Sequence, residues 1–200
     1  MFKLTNTAAT TAAVANRFVA STNMKVGAYT VANGGVPVWS GGCLVTVTHA
    51  QVGGVTDTLG TIEVVGKDLA GQTISETITP ADGTVATGSK IFRSITSVTG
   101  VGWVIDTGND TLTVGCAAGS YAAGSGGSIQ GVLVNNAVAA SVTISDSAGT
   151  IMVIPASQAA GSFYNLGGVN FSGYLKVATT STNDITVFHT PTLPSSYAMS

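Results

Sequence analysis

Charge is scarce in this chain: Lys and Arg number 7, Asp and Glu 9, and together they make up 8% of its 200 residues. The cations are Lys3, Arg17, Lys25, Lys67, Lys90, Arg93 and Lys176, and no stretch gathers them into a patch. A nucleic-acid binder neutralises phosphates with Lys and Arg in number, so the net charge of −2 argues against that class. Long apolar runs are missing as well. No segment approaches the ~20 consecutive apolar residues of a spanning helix. The opening MFKLTNTAATTAAVANRFVAS is diluted by Thr and Asn where a signal peptide would hold an unbroken apolar centre. Neither a nucleic-acid nor a membrane partner is expected, nor export by a cleaved signal.

Groups that carry chemistry are equally few. His49 and His189 stand on separate strands with no His-x-x-x-His or Cys-x-x-Cys companion, which leaves zinc without a ligand set. Asp106-Thr107-Gly108-Asn109-Asp110 places oxygens on a loop but lacks the closing bidentate acid of a calcium loop, and a turn accounts for it without an ion. Glu63 and Glu76, the only glutamates, fall in IEV and SET, where the expectation is a cross-strand polar pair on the solvent face of one hairpin rather than a hydrolytic pair. No Gly-x-Ser-x-Gly elbow presents a nucleophile, and GSGGS lacks the Lys-Ser/Thr of a phosphate cradle. Cys43 and Cys116 are bridged only if their strands are neighbours; without a secretion signal they read as two small core hydrophobes. The chain is therefore read as a non-enzyme with no catalytic residue, no cofactor and no metal.

What is abundant is the material of strands: 44% hydrophobic residues and 26 glycines, arranged as short Val/Ile/Thr alternations between Gly, Asn and Asp turns. Period-two patterning begins near Met24 and predicts strands at Leu44–His49, Thr61–Val65, Thr73–Thr79, Ile91–Val98 and Thr111–Cys116. A second set follows at Ile129–Val134, Ser141–Ser145, Thr150–Ile154, Phe163–Leu166, Gly173–Ala178 and Asp184–His189. Asn33-Gly34-Gly35 and Asp82-Gly83 supply the positive φ that tight reversals need. An Asp-x-x-Gly motif recurs at Asp57–Gly60, Asp68–Gly71 and Asp146–Gly149, each feeding a β-former. Its Asp can accept backbone N–H groups while its Gly closes a turn with a bulge.

These patterns predict an all-β chain of two small antiparallel β-sandwich or barrel modules in series. The expected divisions are an N-terminal arm at 1–23, a first β domain at 24–122, a Gly/Ser linker at 123–128, a second β domain at 129–190 and a tail at 191–200. Aromatics are 6% of the chain and form no obvious sugar platform, with Trp39 and Trp103 each near a turn. An exposed subset of Phe163, Tyr164, Phe171 and Tyr174 is the candidate interface anchor.

The run GTIEVVGKDLAGQTISETITP, then GTVATGSKIFRSITSVTGVGW and DTLTVGC, resembles a pattern of tailed-bacteriophage virion proteins. Its elements here are Gly66 to Gly71, Ile74 to Thr79 and Lys90 to Val98, within the first two-thirds of the chain. The second half, with its Asp-x-x-Gly-Thr-Ile hairpin and Gly-Tyr-Leu-Lys-Val strand, looks like a small β module of phage structural proteins. The resemblance implies a capsid decoration or cement protein on the outer surface of a virion, assembled in the host cytoplasm. Its expected partners are the major capsid protein and further copies of itself, as a trimer before a dimer. A tail, connector or head-fibre component is the alternative, and a carbohydrate-binding adhesive module a more distant one, for which Trp39 and Trp103 would be the first residues to test.

Overall fold

A computed structural model of the chain describes residues 2–9, 11–24, 27–39, 41–51, 58–80, 83–104 and 110–192. Among these residues the regular structure is strand, with one short 3-10 turn at Asn33–Gly35 and no α-helix. The strands in chain order are β1 (Phe2–Ala9), β2 (Val14–Asn23), β3 (Gly27–Tyr29), β4 (Cys43–Ala50), β5 (Thr61–Lys67), β6 (Thr73–Ile78), β7 (Val85–Phe92) and β8 (Ser94–Val101). They continue as β9 (Thr111–Cys116), β10 (Ser120–Ala123), β11 (Gly127–Val134), β12 (Val142–Ser145), β13 (Thr150–Ile154), β14 (Phe163–Phe171), β15 (Leu175–Thr179) and β16 (Asn183–Pro191).

The chain divides into two compact units. A host unit comprises Met1–Ala12, Val38–Gly41 and Gly119–Ser200, and an inserted unit comprises Ala13–Pro37 and Gly42–Ala118. Each unit has two four-stranded sheets: β1-β16-β11-β14 and β10-β15-β12-β13 in the host, β2-β9-β4-β7 and β3-β8-β5-β6 in the insert. All neighbouring strands run antiparallel. Numbering the eight strands of either unit along the chain gives the same order twice, first–eighth–third–sixth in one sheet and second–seventh–fourth–fifth in the other. That is the winding of a jelly roll, two Greek keys laid over one core.

The second jelly roll is thus carried between the first and second strands of the other, so the modules are nested where the sequence suggested succession. Such an insertion is tolerated when its two ends leave the host side by side. They do: Gly119 donates its N–H to the carbonyl of Thr11 at 2.8 Å, and Thr11, 1% exposed, is fixed in turn by Thr179, whose N–H donates to its hydroxyl at 2.7 Å. Inside the insert, Val14 pairs with Cys116, so the strands by which the chain arrives and departs are ladder partners.

The expected N-terminal arm is two strands, β1 on the edge of a host sheet beside β16 and β2 on the edge of an insert sheet beside β9. Their sequence shows no alternation because β2 meets β9 through two register shifts, which bury Phe18 and Val19 in succession. The expected linker at 123–128 is occupied at both ends by β10 and β11, and the division falls between Ala118 and Gly119. The strand expected at Ile91–Val98 is two strands. At Arg93 the chain passes from β7 in one sheet to β8 in the other, and the Arg93 N–H donates to the Lys67 carbonyl at 2.8 Å.

The host core is made by the inward faces of both its sheets, with Ile129, Val132, Ile144, Ile154, Leu175, Val177, Ile185 and Val187 fully buried. The insert alternates in the same way, Val45 and Val47 on β4 and Leu112 and Val114 on β9 pointing inward at 1% exposure or less. One clasp joins its two sheets. The Glu76 carboxylate on β6 accepts the N–H and hydroxyl of Ser89 at 2.6 and 2.9 Å and the N–H of Lys90 at 3.2 Å, all on β7. It takes the place of ladder acceptors where β7 bulges away from β4 between Thr87 and Ile91.

Candidate functional site

The residues that could carry chemistry are dispersed among structural tasks. Glu63 and Glu76 do not form the expected solvent-face pair: Glu76 stands opposite Val64 and Glu63 opposite Thr77, so a one-residue offset puts the two carboxylates on opposite faces of the hairpin. His49 Nε2 lies 2.8 Å from Asp110 Oδ2 with both side chains buried, and the imidazole stacks at a tilt against Trp103. Asp110 is the one member of the expected oxygen-rich loop among the described residues; Asp106, Thr107, Gly108 and Asn109 lie outside them. His189 is on β16 beside Phe171, and burial holds its imidazole below the ordinary 6.5. Among the described residues no group of three His, Cys, Asp or Glu is placed to hold a metal.

Cys43 and Cys116 do lie on neighbouring strands, with Sγ atoms 3.1 Å apart and both thiols buried. The hydrogen bond to Cys116, with burial added, pushes the Cys43 thiol up and keeps it protonated.

Two of the three Asp-x-x-Gly motifs are equivalent turns, each joining the fourth and fifth strands of its jelly roll. Asp68 Oδ1 accepts the N–H groups of Ala70 and Gln72 at 2.9 and 2.8 Å, and Gly71 takes φ 81°. Asp146 Oδ1 accepts those of Ala148 and Gly149 at 2.8 and 3.0 Å. Its Oδ2 also accepts the N–H and hydroxyl of Ser172, which fastens the turn between β14 and β15 of the same unit. The Ser172 N–H first, then those of Ala148 and Gly149, hold the Asp146 carboxyl below its ordinary 3.8. The third motif differs. Asp57 lies outside the described residues, Thr58 bridges Val104, and a Cβ on Gly60 would stand 2.1 Å from the Val101 carbonyl oxygen, so this glycine serves close approach of two segments of the chain.

The chemistry that remains on the surface is apolar. On the host sheet, Phe163 of edge strand β14 is 56% exposed. It pairs with half-buried Leu133, its ring lies over Gly131, where a Cβ would come within 2.4 Å of it, and it meets Phe188 edge-on at 6.3 Å. The alternate residues Val132, Tyr164 and Val187 turn into the core, so Phe163, Leu133 and Phe188 form an outward strip across β14, β11 and β16. A second patch, on the insert, gathers exposed Leu59, Val101 and Val104 around the Thr61–Val101 pair and the Thr58–Val104 bridge. On β1, the next strand of the same sheet, Lys3 is the ladder partner of Phe188, so a lysine borders the first strip.

Of the expected aromatic anchors, Phe163 alone is exposed. Phe171 is buried, Tyr164 is half-buried with its hydroxyl donating to Gln158 Oε1 at 2.7 Å, and Tyr174 packs edge-on against Tyr121. Trp39 and Trp103 are core residues at 4% and 5% exposure. Phe188 and Leu133 were not singled out in the sequence, because which side of β11 and β16 faces outward follows from strand pairing. Comparison with protein-family models, with curated proteins and with solved structures finds no match.

Proposed function

We propose that this chain is a virion structural protein, a decoration or cement protein that settles on the outer surface of a phage capsid and stabilises its lattice. The observation that carries this reading is the Phe163–Leu133–Phe188 strip, an apolar surface held on a sheet rather than a loop. Burying a large apolar side chain contributes about 1.5–3 kcal/mol. A modest contact of that kind becomes strong when repeated around a closed shell, because a protein that binds only the assembled lattice stabilises it by mass action. The phage-like sequence pattern supplies the partner, the major capsid protein, and lattice symmetry favours a closed homo-oligomer, a trimer before a dimer.

Jelly rolls serve viral capsids and lectins alike, so the fold does not choose between adhesive roles. A tail, connector or head-fibre part would use the same modules in far fewer copies. The carbohydrate-binding alternative needs an aromatic rim, and both tryptophans lie inside.

The test uses empty shells of the encoding phage assembled without this protein, heated with and without the purified chain. Shells that take it up are expected to survive higher temperature, and Phe163→Asp is expected to abolish uptake while leaving the chain's own melting unchanged. Shells that neither bind the chain nor gain resistance would contradict the reading.

A further inference from the structure

We propose that Cys43 and Cys116 form a redox-dependent clasp, a disulfide that closes the inserted jelly roll at the end where the chain enters and leaves it. Strand register and the distance between the two sulfurs point to it, independently of any role in a virion. On the β4–β9 ladder Val45 is opposite Cys116, so Cys43 is its diagonal neighbour two residues along and on the same, inward face. Diagonal side chains ordinarily stand too far apart to bond. Here the two sulfurs have closed to 3.1 Å, and a bond of ~2.05 Å needs a further movement of about 1 Å.

That movement falls to Cys43, which is fully buried and stands opposite Phe92 on β7. Cys43 is the first residue of β4, and the pairing of β4 with β7 is irregular between Leu44 and Thr46. Cys116 is fixed more firmly: Val45 and Val14 flank it on two ladders, and the next residue, Ala117, donates its N–H to the Leu44 carbonyl at 2.9 Å. The chain crosses into the insert for the last time just before Cys43 and leaves it just after Cys116. A bond there ties off β4 to β9 as one loop and leaves β2 and β3 of the unit outside it.

Oxidation needs an acceptor, and a small-molecule disulfide supplies it. One cysteine gives up its proton, its thiolate attacks a sulfur of the reagent disulfide, and the first reagent thiolate leaves and is protonated. The second cysteine, also deprotonated, then attacks the mixed disulfide, the Cys43–Cys116 bond forms and the second reagent thiol departs. Two thiols are oxidised by two electrons and one disulfide is reduced to two thiols. Both sulfurs are fully buried in the folded unit, so the exchange takes place as the unit folds or opens, and the finished bond is shielded from reductant.

The chain has 2 cysteines, so any internal disulfide is this one. The experiment refolds the full chain in oxidised or in reduced glutathione, blocks free thiols with N-ethylmaleimide under denaturing conditions, and compares mass and calorimetric melting. Oxidised protein is expected to be a monomeric chain 2 Da lighter with no maleimide added, and its insert to melt at least about 10 °C above that of the reduced form, as closing a long loop implies. Cys43→Ser is expected to melt alike in both buffers, and Cys43→Ala serves in its place if the hydroxyl prevents folding. Two maleimides on the oxidised sample, disulfide between chains only, or a bridged form that melts no higher would overturn the proposal.

Discussion

Replacing His49 by Ala probes the interior of the inserted jelly roll at its most polar point. His49 Nε2 and Asp110 Oδ2 are 2.8 Å apart with side-chain exposures of 1% and 0%, between β4 and the first residues before β9. Two effects add. The hydrogen bond to a carboxylate contributes about 1.5–3 kcal/mol, and removing the imidazole that packs against Trp103 leaves a cavity, for a total of about 3–5 kcal/mol. The cavity decides the outcome, because both side chains are buried and the surroundings relax only in part. In a unit of this size each kcal/mol moves the melting midpoint by about 4–8 °C, so the insert is expected to melt at least ~12 °C lower. Scanning calorimetry reads that shift. Asp110→Ala combined with His49→Ala is expected to cost less than the sum of the two, since both remove the same hydrogen bond. A single variant melting within 2–3 °C of the parent, on the scale of an exposed pair, or strict additivity in the double variant, would refute the reasoning.

Acid should loosen the host unit in two stages. His189 is held below the ordinary 6.5 by burial, so as pH falls through 6.5 the unfolded chain takes up a proton that the folded chain refuses, and stability declines. Asp146, held below 3.8 by its hydrogen bonds, contributes stability that is present above that value and lost as pH falls through its lower folded value. A pH series of melting midpoints is expected to show both declines, and Asp146→Asn to remove the lower one. Glu76→Gln is expected to cost about 1 kcal/mol, because the half-exposed carboxylate loses charge and one acceptor where it holds β7; urea unfolding measures it. Sedimentation of the purified chain is expected to show a closed oligomer, and a monomer at every concentration would count against the symmetry argument.

Strands whose side chains alternate cleanly were legible. Thr61–Val65, Thr73–Thr79 and Thr111–Cys116 match β5, β6 and β9 to within two residues, because along most of each a more buried residue alternates with a less buried one. The Asp68 and Asp146 turns were legible too, since a carboxylate and a glycine fix them locally. Strands defined by distant partners were hidden. β1 finds β16 across the length of the chain, β2 bulges twice, and β7 is polar and small because Glu76 holds its bulge. The nesting of the units is likewise written in contacts such as Thr11 with Thr179, which no window of sequence contains. The apolar strip was half legible: Phe163 is conspicuous as an aromatic beside a turn, whereas Leu133 and Phe188 join it only through the register of β11 with its two neighbours.

The proposed role is adhesion to a phage shell, and electron microscopy of whole virus particles from cells that make this chain, at side-chain resolution and with copies counted, tests it most directly. The expected result is twin jelly rolls repeated over the outer capsid, on the order of hundreds of copies as lattice symmetry implies, with Phe163 seated against the major capsid protein. Particles that lack the chain, or carry a handful of copies confined to the tail, would contradict it.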